Sequence, residues 1–162
     1  MTRSANEISG LATKAARGAG APPAQAAQFG AVAAVHLGAG RDLKLLNLAL
    51  DALPLGPILT LPLDIARLAE QSVEGQAQGR IDNSPAALVQ SYLASLSYVT
   101  QVDEDGVVHL NLNEPAARLP PVRVDLDEAV YEAWSALAAN LLVPESDVSR
   151  LSGAGAGLSD ND

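Results

Sequence analysis

The sequence contains no cysteine, which excludes disulfide bonds, thiolate metal sites and cysteine nucleophiles. Aromatic residues make up only 3% of the chain, so leucine, valine, isoleucine and alanine have to form the core. The first ten residues contain no apolar run, and the longest apolar region, residues 43–63, is interrupted by a lysine, an aspartate and three prolines. We therefore expect neither a secretory signal nor a membrane span, and we expect a cytoplasmic location.

Positive charge is also scarce, and it is unevenly distributed. The chain has 10 Lys and Arg residues against 19 Asp and Glu residues, a formal net charge of −9. Residues 1–50 carry a net charge of +3 and the remainder carries −12. Nucleic-acid binding depends on neutralising phosphates with cations, so DNA and RNA are poor candidates for partners. We expect instead that the basic N-terminal region faces acidic groups elsewhere in the chain.

The length of 162 residues and the apolar fraction of 48% are typical of one folded domain that spans residues 1–162. The patterns predict a helical part at about 4–97, then a hairpin, a strand and a C-terminal helix at about 98–151. A Gly-rich acidic tail follows at 152–162. This order of helices, a small antiparallel sheet of about three strands, and a last helix predicts an α+β fold.

The helical part begins with a helical hairpin. Ser4 and Glu7 match the S-x-x-E capping box, which predicts a helix over residues 4–17. Pro22 and Pro23 suit the first turn of a second helix that ends near residue 37. A third helix is predicted at 42–53, an extended buried segment or short strand at 54–62, and a helix at 63–71. A polar loop is predicted at 74–83, and then a helix capped by Ser84 that runs to about residue 97.

The later part changes to a strand period. The stretch SYVTQVDEDGVVHLNL has two β-branched runs around Asp103–Gly106, which predicts a hairpin. PVRVDL, residues 121–126, predicts a third strand. Asp127 is placed to cap a final helix that buries Trp134.

The first candidate site is a polar stripe on the first helix, opposite its apolar face. It consists of Glu7, Gly10, Lys14 and Arg17, spaced 3, 4 and 3 residues apart. One interpretation is a solvated face whose charges suit the helix dipole. The other is a site for an anion or carboxylate, because arginine's planar fork matches a carboxylate and Gly10 allows close approach. We call these four residues the basic stripe.

The second candidate lies in the C-terminal segment, VPESDVSRLSGAGAGLSDND. Its candidate residues are Glu145, Ser146, Arg150, Asp160, Asn161 and Asp162. One interpretation is a frayed acidic tail. The alternative is that the tail folds back on the basic stripe, so that its last aspartates pair with Lys14 and Arg17.

Other motifs give little support for chemistry. The two histidines, His36 and His109, fit a packed and a strand position better than metal ligands, and no zinc spacing is present. No G-x-S-x-G elbow supports a hydrolase. We predict no metal site, and no cofactor follows from the residues.

The two ends of the chain carry a resemblance. NEISGLATKAARGAG near the start and VPESDVSRLSGAGAGLSDND at the end resemble the signature of a proteobacterial family with a domain of unknown function. That signature reads NEIxxLAxKAARGAG and GAGAGxxDND. The resemblance implies that the two ends belong together, and it implies no activity or cofactor.

Three functions remain open at this point. The first is a binding or accessory protein of small-molecule metabolism whose basic stripe faces a small anionic ligand. The second is a small enzyme acting on a carboxylate-bearing metabolite, with Lys14 or Glu145 as acid or base, Arg17 and Arg150 as carboxylate clamps, and Asp160 or Asp162 as orienting groups. The third is a subunit of a larger complex, which predicts exposed side chains at Leu55, Ile58 and Leu59.

Overall fold

A computed structural model gives the structure of the chain and describes residues 1–117 and 123–141. In these ranges there are six helices: α1 (Ala5–Gly18), α2 (Pro23–Gly38), α3 (Lys44–Asp51), α4 (Pro57–Glu70), α5 (Ala86–Ala94) and α6 (Glu128–Ala139). The same ranges contain five strands: β1 (Thr2–Ser4), β2 (Gln76–Gly79), β3 (Tyr98–Val102), β4 (Val108–Pro115) and β5 (Arg123–Asp125). The predicted α+β class and the N-terminal helical pair are confirmed. The predicted tail at 152–162 lies outside the described residues.

The helical hairpin forms as the capping and packing signals predict. Glu7 N donates to Ser4 Oγ at 3.3 Å, and Ser4 N donates to Glu7 Oε2 at 2.8 Å, which completes the capping box. Gly30 of α2 allows the two helices to pack closely, because a Cβ there would meet Ser9 O at 2.5 Å and the Thr13 hydroxyl. The core lies between these helices and α4, α5 and α6.

The last helix packs on α1. Asp127 caps α6 by accepting from Ala129 N at 2.8 Å, as predicted. Trp134 is 1% exposed, and its Nε1 donates to Asn47 Oδ1 at 2.9 Å, which satisfies the indole N–H inside the core. A Cβ at Gly18 would lie against the backbone of Leu137, so glycine permits this close approach of α6.

The prediction of an extended segment at 54–62 is wrong, because α4 begins at Pro57; the helix predicted at 63–71 is confirmed as the later part of α4. The buried side chains Ile58, Leu61, Ile65 and Leu68 are spaced 3, 4 and 3, which is a helical stripe. Pro57 occupies the first helical position, where its missing N–H costs nothing. Pro62 lies inside the helix, and burial of the apolar stripe offsets its unfavourable effect.

The sheet differs from the prediction in its third strand. The predicted hairpin is confirmed as β3 and β4, but the order of the sheet is β2-β4-β3, all antiparallel. The prediction of a polar loop over the whole of 74–83 is therefore wrong, because the sequence QAQG within it forms β2, in which alternate residues are half-buried. The strand predicted from PVRVDL forms as β5, but it pairs with β1 instead of the hairpin.

The beginning of α5 also differs from the prediction. Pro85, not Ser84, is the N-cap, and no side chain caps the first turn. The segment between β2 and α5, residues 80–84, therefore runs past α4 as an irregular connection. It contributes to the groove described below.

Candidate functional site

The basic stripe forms one side of α1, as its spacing predicts. Glu7, Gly10 and Lys14 are exposed, and Arg17 in the last turn is half-buried. The opposite side of the helix buries Ile8, Ala12, Ala15 and Ala16. The core therefore fixes which way the stripe faces.

Glu7 contributes to the stripe mainly as part of the helix cap. Its Oε2 accepts from Ser4 N at 2.8 Å and from Ser4 Oγ at 2.7 Å. These two hydrogen bonds lower the pKa of the Glu7 carboxyl below its ordinary value, and the bond from the Ser4 backbone N–H has the larger effect. A carboxylate held in this way stabilises the beginning of α1 and leaves the cations at the other end of the stripe.

Lys14 and Arg17 are the two cations of the stripe, one turn apart. Their positions differ by about 4.5 Å along the helix axis, since each residue rises 1.5 Å. Within residues 1–117 and 123–141, neither side chain has a hydrogen-bond or ion-pair partner. A Cβ built at Gly10 has no atom within 4 Å, so the backbone beside the stripe is open.

The C-terminal end of α6 lies beside the basic end of this stripe. Asn140 Nδ2 donates to Gly18 O at 3.3 Å, one residue after Arg17. The described chain ends at Leu141, and the acidic C-terminal segment follows it in sequence. Its candidate residues Glu145, Ser146, Arg150, Asp160, Asn161 and Asp162 lie outside the described residues. Their pairing with Lys14 and Arg17 stays a prediction.

A buried polar network joins α2, α5 and the loop after α2. His36 Nδ1 is 2.8 Å from Ser91 Oγ, and His36 Nε2 is 2.9 Å from Asp42 O. Arg41 donates to the same hydroxyl at 2.9 Å. Burial lowers the pKa of His36, opposed by the contact with the Asp42 carbonyl.

This network resembles a nucleophile–base pair only in composition. Both His36 and Ser91 are 0% exposed, so no substrate reaches the serine hydroxyl in this structure. We interpret the network as a structural set of polar contacts within the core. The prediction that His36 is packed is confirmed. Sequence reasoning missed Ser91, which follows Gln90 in α5 and carries no local signal of its buried partners.

A groove runs along the exposed face of α4, and sequence reasoning missed it. One part has a volume of about 380 Å³ and another about 390 Å³. Both are lined by Asp64, Arg67 and Asn83, so they are continuous. The face of α4 that lines them has residues 57, 60, 64 and 67, and the C-cap residue 71 continues this helical 3, 4 spacing. That signal was hidden because half of this segment was predicted to be extended.

The predicted docking segment is exposed at only some of its positions. Leu55 is 74% exposed, whereas Ile58 is fully buried and Leu59 is half-buried. Two further leucines, Leu48 and Leu63, are about half exposed. The prediction is therefore right for Leu55 and wrong for Ile58, whose side chain faces the core stripe of α4.

Two absences apply to the described part of the chain. No group of three or more His, Asp or Glu side chains there could hold a metal ion. None of its six helices combines the length and the apolar character needed to cross a membrane.

Comparison with known proteins adds no relative: the chain matches no family model, no curated protein and no solved structure. The resemblance of the two chain ends to a proteobacterial family therefore stays a prediction. The site described above is defined only by the geometry of this chain.

Proposed function

We propose that this chain is a small binding or accessory protein whose basic stripe binds a carboxylate. One observation carries the proposal: Lys14 and Arg17 lie one turn apart on an exposed face and have no partner among the described residues. A guanidinium and an ammonium side by side attract an anion, and the planar arginine fork favours a carboxylate.

The half-buried state of Arg17 supports a specific contact over a merely solvated charge. A cation that is partly removed from water gains more from an anion than a fully exposed one, because the local dielectric is lower. Arg17 also lies next to the place where α6 contacts Gly18. A carboxylate bound there meets one rigid helix and the end of another.

Two sources could supply the carboxylate. One is a small metabolite. The other is the acidic C-terminal segment, which continues from Leu141 and contains Glu145, Asp147, Asp160 and Asp162 against the single cation Arg150. Our proposal commits to the metabolite as the functional ligand. Occupation by the chain's own tail is the outcome that would replace it.

A thermal-shift screen tests the proposal. Native protein is heated with small carboxylates, amino acids, phosphates and nucleotides, beside Arg17→Ala and a control, Lys44→Ala, which removes an exposed cation from α3. A ligand at about 100 times its dissociation constant adds roughly 2.7 kcal/mol of stability, which raises the melting temperature by several degrees.

We expect a carboxylate to stabilise native protein and Lys44→Ala, and to lose its effect in Arg17→Ala. A carboxylate without an ammonium group that still stabilises Arg17→Ala would contradict the stripe as the binding site. If no compound stabilises the native protein and Arg17→Ala alone is less stable, the stripe serves the chain's own structure and the proposal is wrong.

A second candidate function is favoured by a different observation. Leu55 is 74% exposed, and Leu48 and Leu63 are about half exposed. Large exposed leucines in α3, α4 and the connection between them fit a subunit that buries this surface against another protein. The enzyme alternative has no comparable observation, because its proposed partners for Lys14 and Arg17 lie outside the described residues.

A further inference from the structure

We infer that the groove between α4 and the connection at residues 80–83 binds a zwitterionic amino acid with an apolar side chain. The groove is formed by elements that carry no residue of the basic stripe. This inference is therefore independent of the proposed function, and either can fail without the other.

The groove has a polar part and an apolar part. The polar part is lined by Arg67 and Arg80 together with Asp64 and Asp82, and its accessible lining is mostly polar. The other part extends past Pro57 and Leu63 and is mostly apolar. Asp64, Arg67 and Asn83 border both parts. A ligand in the groove therefore meets charged groups at one end and hydrocarbon at the other.

The balance of charge in the polar part selects the class of ligand. Two arginines and two aspartates give no net charge, so a simple anion would be attracted by the cations and repelled by the carboxylates. A zwitterion satisfies both: its carboxylate fits the guanidinium groups, and its ammonium group fits the aspartates. The polar part thus favours an α-amino acid over a plain carboxylate or a plain amine.

The charged groups can accept new partners. Arg67 contacts Asp64 at 3.3 Å, but the Arg67 side chain is 71% exposed, and such a pair contributes little to stability. Within the described ranges, neither Arg80 nor Asp82 has a salt bridge or a side-chain hydrogen bond. Reorganising this end of the groove around a ligand therefore costs little.

The size and the apolar part set the kind of side chain. Volumes of about 380 and 390 Å³ lie at the lower end of the range for small-molecule sites. Leu63 is 48% exposed at the apolar part and would be covered by a ligand's hydrocarbon group. A branched or aromatic amino acid fits this arrangement better than glycine does.

In the test, the full chain is titrated with L-leucine, and binding is monitored by NMR through the amide resonances. Two analogues probe the charges: 4-methylpentanoate lacks the ammonium group, and 3-methylbutylamine lacks the carboxylate. Glycine probes the apolar part. We expect leucine to shift the amides of Gln71, Gly79 and Asn83, and to bind about tenfold or more tightly than any of the three.

Three variants locate the site. Arg80→Gln should weaken leucine binding by about tenfold or more, because it removes a charge-assisted hydrogen bond. Leu63→Ser should weaken leucine but leave glycine unchanged. Lys44→Gln, which removes an exposed cation of α3 outside both the groove and the basic stripe, should leave leucine binding unaltered. All three positions are exposed, so we expect each variant to fold.

Several results would overturn the inference. Equal binding of 4-methylpentanoate and leucine would make the groove an anion site. Shifts confined to α1 would assign leucine to the basic stripe. The absence of any shift at millimolar leucine would mean that the groove binds no amino acid.

Discussion

The packing of α6 against α1 can be tested with the same substitution at two glycines of one helix. Gly18 and Gly10 both lie in α1. A Cβ at Gly18 would lie against Leu137 O and 2.7 Å from Leu137 C, which are backbone atoms that cannot rotate away. A Cβ at Gly10 would meet nothing within 4 Å. The structure therefore predicts opposite effects for Gly18→Ala and Gly10→Ala.

The magnitudes follow from packing and helix propensity. Gly10→Ala gains up to about 1 kcal/mol of helix propensity in a helix interior, with no steric penalty. Gly18→Ala has the cost of overpacking, about 1–3 kcal/mol, and gains little propensity in the last turn of the helix. For a chain of this size, 1 kcal/mol changes the melting temperature by roughly 2–4 °C.

The assay is thermal and urea unfolding of native protein and both variants, followed by far-UV circular dichroism. We expect Gly10→Ala to melt roughly 2–4 °C higher than native protein and Gly18→Ala to melt lower by roughly 2–12 °C. If Gly18→Ala were as stable as Gly10→Ala, α6 would not lie on α1 as described. The C-terminal end of α6 would then not lie beside Arg17.

Three further predictions concern the core and the exposed leucines. Burial lowers the pKa of His36, so the unfolded chain binds more protons than the folded chain as the pH falls below about 6.5. The free energy of unfolding, measured by urea titration, should therefore fall from pH 7.5 to pH 5.5. In His36→Asn the free energy of unfolding should depend less steeply on pH. Trp134→Phe should lower the free energy of unfolding by about 1–3 kcal/mol, because Asn47 Oδ1 loses its donor; Asn47→Leu combined with it should recover part of that loss in a double-mutant cycle. Leu55→Ser should change stability by less than about 0.5 kcal/mol, and a pull-down that loses a partner with this variant, but not with the exposed control Lys44→Ser, would favour the complex-subunit candidate.

Much of the helical part followed from local signals. Three helix starts are each fixed by a few neighbouring residues: the capping box of Ser4 and Glu7, the prolines at 22 and 23, and the cap at Asp127. Such signals are visible in the sequence because the atoms involved are close along the chain. The α1 stripe was predictable for the same reason, since helix spacing alone places Lys14 and Arg17 on one face.

The missed elements depend on distant partners. β2 has the polar sequence QAQG, and it becomes a strand because β4 offers a free edge, with Gln76 opposite Asn111. β5 pairs with β1 across most of the chain, and no local pattern specifies that partner. Prolines 54, 57 and 62 suggested a break in this region, but α4 contains the last two, and its apolar stripe at helical spacing outweighs them.

The groove also depends on residues that are distant along the chain, so it could not have been predicted from the sequence. Arg80 and Asp82 face α4 only because β2 joins the sheet and directs the following residues past that helix. Ser91 is similar: its partners His36 and Arg41 are about 50 residues away. The buried network and the groove both need the tertiary fold before their residues come together.

The central claim is that Lys14 and Arg17 bind a carboxylate, and the most direct measurement is an amide NMR titration with succinate. Native protein and the double variant Lys14→Gln/Arg17→Gln are compared, with sodium chloride at matched ionic strength as the control. We predict that succinate, but not chloride, shifts the amides of Lys14, Arg17 and Gly18 in native protein, and that these shifts disappear in the double variant. Unchanged shifts in the double variant, or shifts confined to Gln71 and Gly79, would contradict the claim.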